Sequence, residues 1–196
     1  VFSVDNDFVH DAAARREEFL FGASIHPYRK NAVPELERLA KKGACLVKWI
    51  PSAQRIEPDN PACFPFYEAL AHHRIPLLSH TGIEHALGSR RGGLNHPRRL
   101  EPALKRGVKV IAAHCGARLF LHERSFFGAW SRMAREHEHM YGDTAALAVV
   151  TRVPYLKRIL RDPVLRDKLA YGSDFPGIPP LRWCWQLGLR TMLNLS

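Results

Sequence analysis

The feature that most constrains this chain is a polar residue closing each of several short apolar runs, once in about thirty residues. Residues 75–82 read IPLLSHTG; the apolar stretch ends at His80, and Gly82 follows. Residues 108–116 read VKVIAAHCG and end in the same way at His114. Three more runs carry Lys48 (ACLVKW), Asp143 (HMYGDT) and Asp174 (KLAYGSD). The five positions are spaced 32, 34, 29 and 31 residues apart. Each run is too short for a helix and is bounded by Pro or Gly, which predicts a buried strand of a parallel sheet. A strand, a helix and two loops occupy about 30 residues. Each unit therefore contributes one ligand-capable side chain at its C-terminal strand end, the face on which parallel barrels build their sites.

Helical patterns fill the spaces between the runs. They are predicted over 4–19, 34–42, 64–73, 97–106, 123–138, 153–160, 162–168 and from Leu181 onward. The first strand is expected at 19–26. The long stretches 51–63 and 81–95 read as loops on the active face. Strands alternating with helices imply a parallel α/β fold in one domain, residues 1–196. Six strands are expected, whereas a closed (β/α)8 TIM barrel has eight and about 250 residues. The chain is thus expected to be an N-terminally truncated barrel of about six βα units. Its open edge strands would invite self-association into a homo-oligomer.

Composition narrows the function. The formal charge is +10, but the basic residues carry no interleaved aromatics, so no nucleic-acid partner is expected. No apolar run approaches a membrane span, and the first residues lack the pattern of a signal peptide. The four cysteines form no CxxC pair; they read as small buried hydrophobes in a reducing, cytoplasmic setting. A small-molecule substrate is expected.

His80 and His114, in register on adjacent strands, could converge on one divalent metal; the alternative is two hydrogen-bonded core histidines. Asp174 could bind that metal and accept a proton from water, or simply cap the turn before Pro176. Lys48 could be a catalytic amine, a salt-bridge partner or a carboxylated bridge between two metals, or its stem could lie on apolar surface with the ammonium in water. Asp143 is read as orienting a ligand histidine or touching substrate, with a turn residue as the alternative. His26, Glu84 and His85 lie near the same face as candidate substrate contacts.

These motifs, SHTG at 79–82, AAHCG at 112–116, YGDTAAL at 141–147 and YGSDFP at 171–176, resemble in order and spacing the amidohydrolase-related family. That branch of the metal-dependent TIM-barrel hydrolases also contains decarboxylases of the aminocarboxymuconate-semialdehyde type. The likeness runs from about Phe19 to Pro180. It implies a divalent ion, usually zinc, with His80, His114 and Asp174 as ligands. It gives Asp174 and His114 the catalytic roles, and puts Lys48 where some relatives carry a carboxylated lysine. The resemblance implies hydrolysis of an ester, lactone or amide by activated water, with non-oxidative decarboxylation as the alternative. One departure stands out: the family's first strand carries an HxH pair, and the His137-Glu138-His139 found here is misplaced, where a predicted helix gives way to the Asp143 strand. The six strands match the third to the eighth. A fragment or non-catalytic paralogue is the remaining reading.

Overall fold

The computed structural model describes residues 4–85 and 92–174. Six strands form one parallel sheet: β1 (Gly22–Ala23), β2 (Leu46–Trp49), β3 (Leu77–His80), β4 (Val110–Ala113), β5 (Met140–Asp143) and β6 (Leu169–Ala170). They are neighbours in chain order, with no reversal. A doubly wound sheet would reverse its order midway; unbroken order is the winding of a barrel wall. The helices are α1 (Asn6–Ala13), α2 (Ala32–Lys41), α3 (Pro51–Gln54), α4 (Phe64–His72), α5 (Glu101–Lys105), α6 (Phe127–Glu136), α7 (Val153–Leu160) and α8 (Pro163–Arg166).

Strand alternation gives the sheet two unlike faces. Val47, Trp49, Leu77, Val110 and Met140 are fully buried beneath helices. The helices cover them with Leu36 and Leu39, Phe66 and Leu70, Trp130 and Met133, and Leu156 and Ile159. On the other face, Leu46, Lys48, Leu78, Ile111 and Tyr141 are all only half-buried. Register pairs Lys48 with Leu78, Leu78 with Ile111 and Ile111 with Tyr141, so they form one layer. His80 and Asp143 stand two residues further on, on that same face.

Several boundaries differ from the sequence-based expectation. The first helix ends at Ala13, not Phe19. The run Arg15-Arg16-Glu17-Glu18 offers no apolar side chain to continue a buried stripe, and Phe8 on the helix itself is 67% exposed. The helix expected from Glu123 begins at Phe127, because the Glu123 carboxylate accepts from the Leu119 and Phe120 N–H groups and holds a loop. The 51–63 stretch holds α3 and a 3-10 turn at Pro61–Cys63. In both, Pro sits at the first helical position, where its missing N–H costs nothing. Pro97–Leu100 is likewise a 3-10 turn ahead of α5. The helix expected from Leu181 and the PGIPP loop lie outside the described residues. Cys45, Cys63 and Cys115 are free thiols.

Candidate functional site

The backbone at the end of β4 is unusual. His114, Cys115 and Gly116 have φ of 64°, 52° and 66°, three consecutive residues in the left-handed region. Non-glycine residues resist that conformation, so the surroundings must hold it. The Asp143 carboxylate does so from the next strand. Its Oδ1 accepts from the His114 N–H at 2.8 Å and from the Ala145 N–H at 3.1 Å. The Ala145 carbonyl accepts from His114 Nδ1 at 2.9 Å. Thr81 adds a bolt from β3: its hydroxyl donates to the Ala113 carbonyl at 2.6 Å and accepts from the Gly116 N–H at 2.9 Å. Gly116 is required, since a Cβ there would meet the Phe126 backbone at 2.9 Å. Gly142 is required too, since a Cβ would meet Cys115 Sγ at 2.4 Å and the Trp130 ring at 2.7 Å.

This bracing delivers His114 to His80. Their ring centroids are 4.9 Å apart, the planes inclined at 69°. Both rings are buried, at 8% and 4% exposure. Burial pushes the His80 imidazole down to about 4; Lys48 and Arg152 add to this, and Glu84 and the Ile83 backbone oppose it. Burial likewise holds His114 well below the usual histidine range, with Arg152 and His80 adding. Both are therefore neutral near pH 7. A carbonyl can only accept, so His114 Nδ1 carries the proton and Nε2 keeps a bare lone pair. His80 Nδ1 faces the Glu84 carboxylate at 3.4 Å. Its ring being neutral, that contact is not a full ion pair. His80 Nε2 is buried with no hydrogen-bond partner.

The charged groups expected at the strand ends gather around the pair. Asp143 is buried and Asp174 half-buried, and burial raises both carboxyls above their ordinary range. Lys48 lies within electrostatic reach of Asp143, Asp174 and Glu84, and burial pushes its ammonium down. Asp174 has φ 65°, a second strained strand end. His26 is different. Its Nε2 donates to the Gln54 carbonyl at 2.9 Å and its Nδ1 accepts from the Tyr28 N–H at 3.3 Å, so both nitrogens serve local structure. His85 pairs with Glu123 at 2.6 Å and is the most exposed of the candidates.

One group escaped the sequence reading. Arg152, ahead of α7, is only 4% exposed. Among the described residues its guanidinium makes one hydrogen bond, from Nε to the Arg118 carbonyl at 3.4 Å. Burial lowers its pKa, against the carboxylates of Asp174, Glu123 and Asp143. The signal was available: an isolated Arg inside the apolar stretch LAVVTRVP.

Two observations fit a metal here. A buried imidazole nitrogen without a partner is costly unless something binds it, and the adjacent ring offers the matching lone pair. Yet no group of three His, Cys, Asp or Glu side chains among the described residues stands ready to hold an ion. The convergence is a pair of imidazoles with carboxylates in electrostatic reach, not a finished cage.

A parallel wall in unbroken strand order, with polar residues at its C-terminal strand ends, is the architecture of the TIM-barrel class. Within it, the chain belongs to the amidohydrolase family, whose model matches residues 1–190. A search of curated proteins gives no match. Solved structures share the fold at low identity. An uncharacterised TIM-barrel protein from Bordetella bronchiseptica is 18% identical over 100% of this chain and 70% of its own, with TM-score 0.75. A protein assigned as a 2-pyrone-4,6-dicarboxylic acid hydrolase from Pseudomonas putida is 12% identical, covering 97% and 70%, with TM-score 0.67. A 5-carboxyvanillate decarboxylase from Sphingomonas paucimobilis is 15% identical, covering 93% and 64%, with TM-score 0.61.

Proposed function

We propose that this chain carries the site of a metal-dependent hydrolase acting on an ester, lactone or amide of a small molecule. The observation that carries the reading is the buried, unpartnered Nε2 of His80 beside the free lone pair of His114. His80, His114 and Asp174 would hold a divalent ion, zinc first, which would supply the positive charge that polarises a carbonyl and acidifies water. Asp174, its carboxyl raised by burial, is the group to take the proton from attacking water. Arg152 faces the same region as a buried cation and would steady negative charge developing on the substrate oxygen. Asp143 positions His114 through the backbone. Glu84 holds His80, and Lys48 balances the surrounding carboxylates. Lys48 carboxylation, which would make a two-metal site, is the variant of this reading that a mass increase on Lys48 would reveal. The free thiols of Cys45, Cys63 and Cys115 support a reducing, cytoplasmic setting. No helix among the described residues is long and apolar enough to cross a membrane.

Non-oxidative decarboxylation is the second reading, favoured by the same cations. Lys48 and Arg152 could hold a substrate carboxylate beside a protonating acid. A non-catalytic role is the third, favoured by the lack, among the described residues, of a group of three side chains ready to hold an ion. Metal analysis of purified protein, with His80→Ala and Asp174→Asn beside it, tests the site. Metal that falls away in both variants supports it, and metal content equal in all three removes it. With a substrate in hand, incorporation of labelled water separates hydrolysis from release of CO2.

A further inference from the structure

His114 is braced from both neighbouring strands, by Asp143 and by Thr81. His80 has a brace of its own, in a buried side chain outside the site itself. Asn95 closes the 3-10 turn Gly92–Asn95 and is 1% exposed. Its Oδ1 accepts from the Ser52 N–H at 2.9 Å. Its Nδ2 donates to the Ser52 hydroxyl oxygen and to the Gly82 carbonyl, both at 2.9 Å. Its backbone carbonyl accepts from the Gly82 N–H at 3.4 Å. Ser52 belongs to α3, directly after β2, and Gly82 stands two residues beyond His80 at the end of β3. One side-chain amide thus joins the loops that follow two neighbouring strands. A group with one acceptor and two N–H donors satisfies all three partners; a carboxylate lacks the donors, and an apolar residue lacks both.

Gly82 is the point that needs such a brace. Its φ is 98°, and a Cβ there would stand 3.3 Å from the Ala117 carbonyl. It has no side chain to anchor it, and both its backbone N–H and its carbonyl go to Asn95. The two residues that follow act on the His80 ring: the Ile83 backbone, and the Glu84 carboxylate 3.4 Å from Nδ1. The direction of the Gly82 peptide therefore decides where both meet the ring. We infer that Asn95 is a positioning residue for His80, acting through Gly82 to set the ring against His114. The inference rests on the proposed metal site only for treating His80 as a ligand; the placement of the ring is a property of the metal-free protein.

The test compares two variants. Asn95→Asp keeps nearly the same shape but has no donor for Gly82. Ser52→Ala removes the other acceptor of Nδ2 and leaves the Gly82 bond in place. Both should lower the melting temperature, so lost stability alone does not separate them. Ring placement does. In metal-free protein carrying nitrogen-labelled histidine, the His80 ring signals, assigned by their absence from H80A, should move in N95D and stay in place in S52A. Zinc affinity, read by competition with a chromophoric chelator, should fall about tenfold or more in N95D, the scale for residues that orient a ligand histidine, and hold in S52A. Should circular dichroism show N95D unfolded by its buried carboxylate, N95S, uncharged and too short to span both partners, takes its place. His80 signals unmoved in a folded Asn95 variant, or zinc held there as tightly as by a zinc-binding parent, would overturn the inference. So would equal movement in S52A, which would make Asn95 one packing contact among many. A parent that takes up no zinc, with ring signals that move as expected, would sink the proposed metal site and leave the role of Asn95 standing.

Discussion

The two faces of this sheet were built for different tasks. Under the helices, Val47, Leu77, Val110 and Met140 have no exposed surface, and the indoles of Trp49 and Trp130 close the layer. Each indole N–H finds a carbonyl, Ile25 at 2.8 Å and Tyr141 at 3.1 Å, so the layer leaves neither indole donor unsatisfied. On the other face the strands carry half-buried Lys48 and, two residues beyond that layer, the buried His80 and Asp143. There, burial works against charge and shifts nearly every titratable group toward its neutral form. One face supplies stability and the other holds groups in protonation states they would not adopt in water.

The largest expected effect tests the first half of that contrast. Trp130→Ala opens the packed layer over β5 and should cost about 3–5 kcal/mol. Ile111→Ala, on the half-exposed face one strand away, should cost under about 2 kcal/mol. Urea denaturation of the two variants measures both. Equal costs would mean that the two faces are not energetically distinct.

The second half is tested by pH. His80 titrates near 6.5 when unfolded and about 4 when folded. Between those values the unfolded chain binds a proton that the folded chain refuses, so stability falls as pH drops through that window. At pH 5 the loss is on the order of 2 kcal/mol relative to pH 7. His80→Phe in metal-depleted protein should reduce the dependence over that interval, His114 supplying what remains. A variant with the parent's full acid sensitivity would show that His80 is not held neutral by its surroundings.

The contrast also explains what the sequence could and could not disclose. The strand-end residues His80, His114, Asp143 and Asp174 were legible because a run's length and its closing residue are local properties, and parallel strands in order bring equal ends together. The helices that bear Leu36, Phe66 and Trp130 were legible for the same reason, since helical periodicity is local too. Arg152 was not, because its burial depends on how the loop after β5 folds back toward Arg118. The clamp of Asp143 on the His114 backbone was not, because it spans 29 residues and answers a strain visible only in the dihedral angles. The overlong first helix shows the converse. Phe8 and Phe19 supply apolar residues at suitable spacing, but the face they would need lies at the sheet's edge, where little covers them.

That edge supplies the smallest effect and a third kind of docking. None of α1's residues is buried, so apolar packing alone cannot fix it. Asn6 instead bridges to β1: its side-chain amide donates to the Ser24 carbonyl at 3.1 Å and its oxygen accepts from the Ser24 N–H at 3.0 Å. Asp7 reaches α2, meeting Arg38 at 2.9 Å and Lys42 at 2.7 Å. Those two cations, Arg38 foremost, hold the Asp7 carboxyl down to about 2. A carboxylate depressed below its unfolded value contributes stability above about pH 4 and loses it as pH falls toward 2. The pair is exposed and screened by salt, so its effect on global stability should be small. Asp7→Asn should therefore leave the denaturation midpoint nearly unchanged, yet speed amide exchange in α1 and at Ser24. Exchange unaltered there would mean that Val9 and Ala13, which pack against the core from α1, hold the helix after all. The covered face would then reach further toward the edge than its burial suggests.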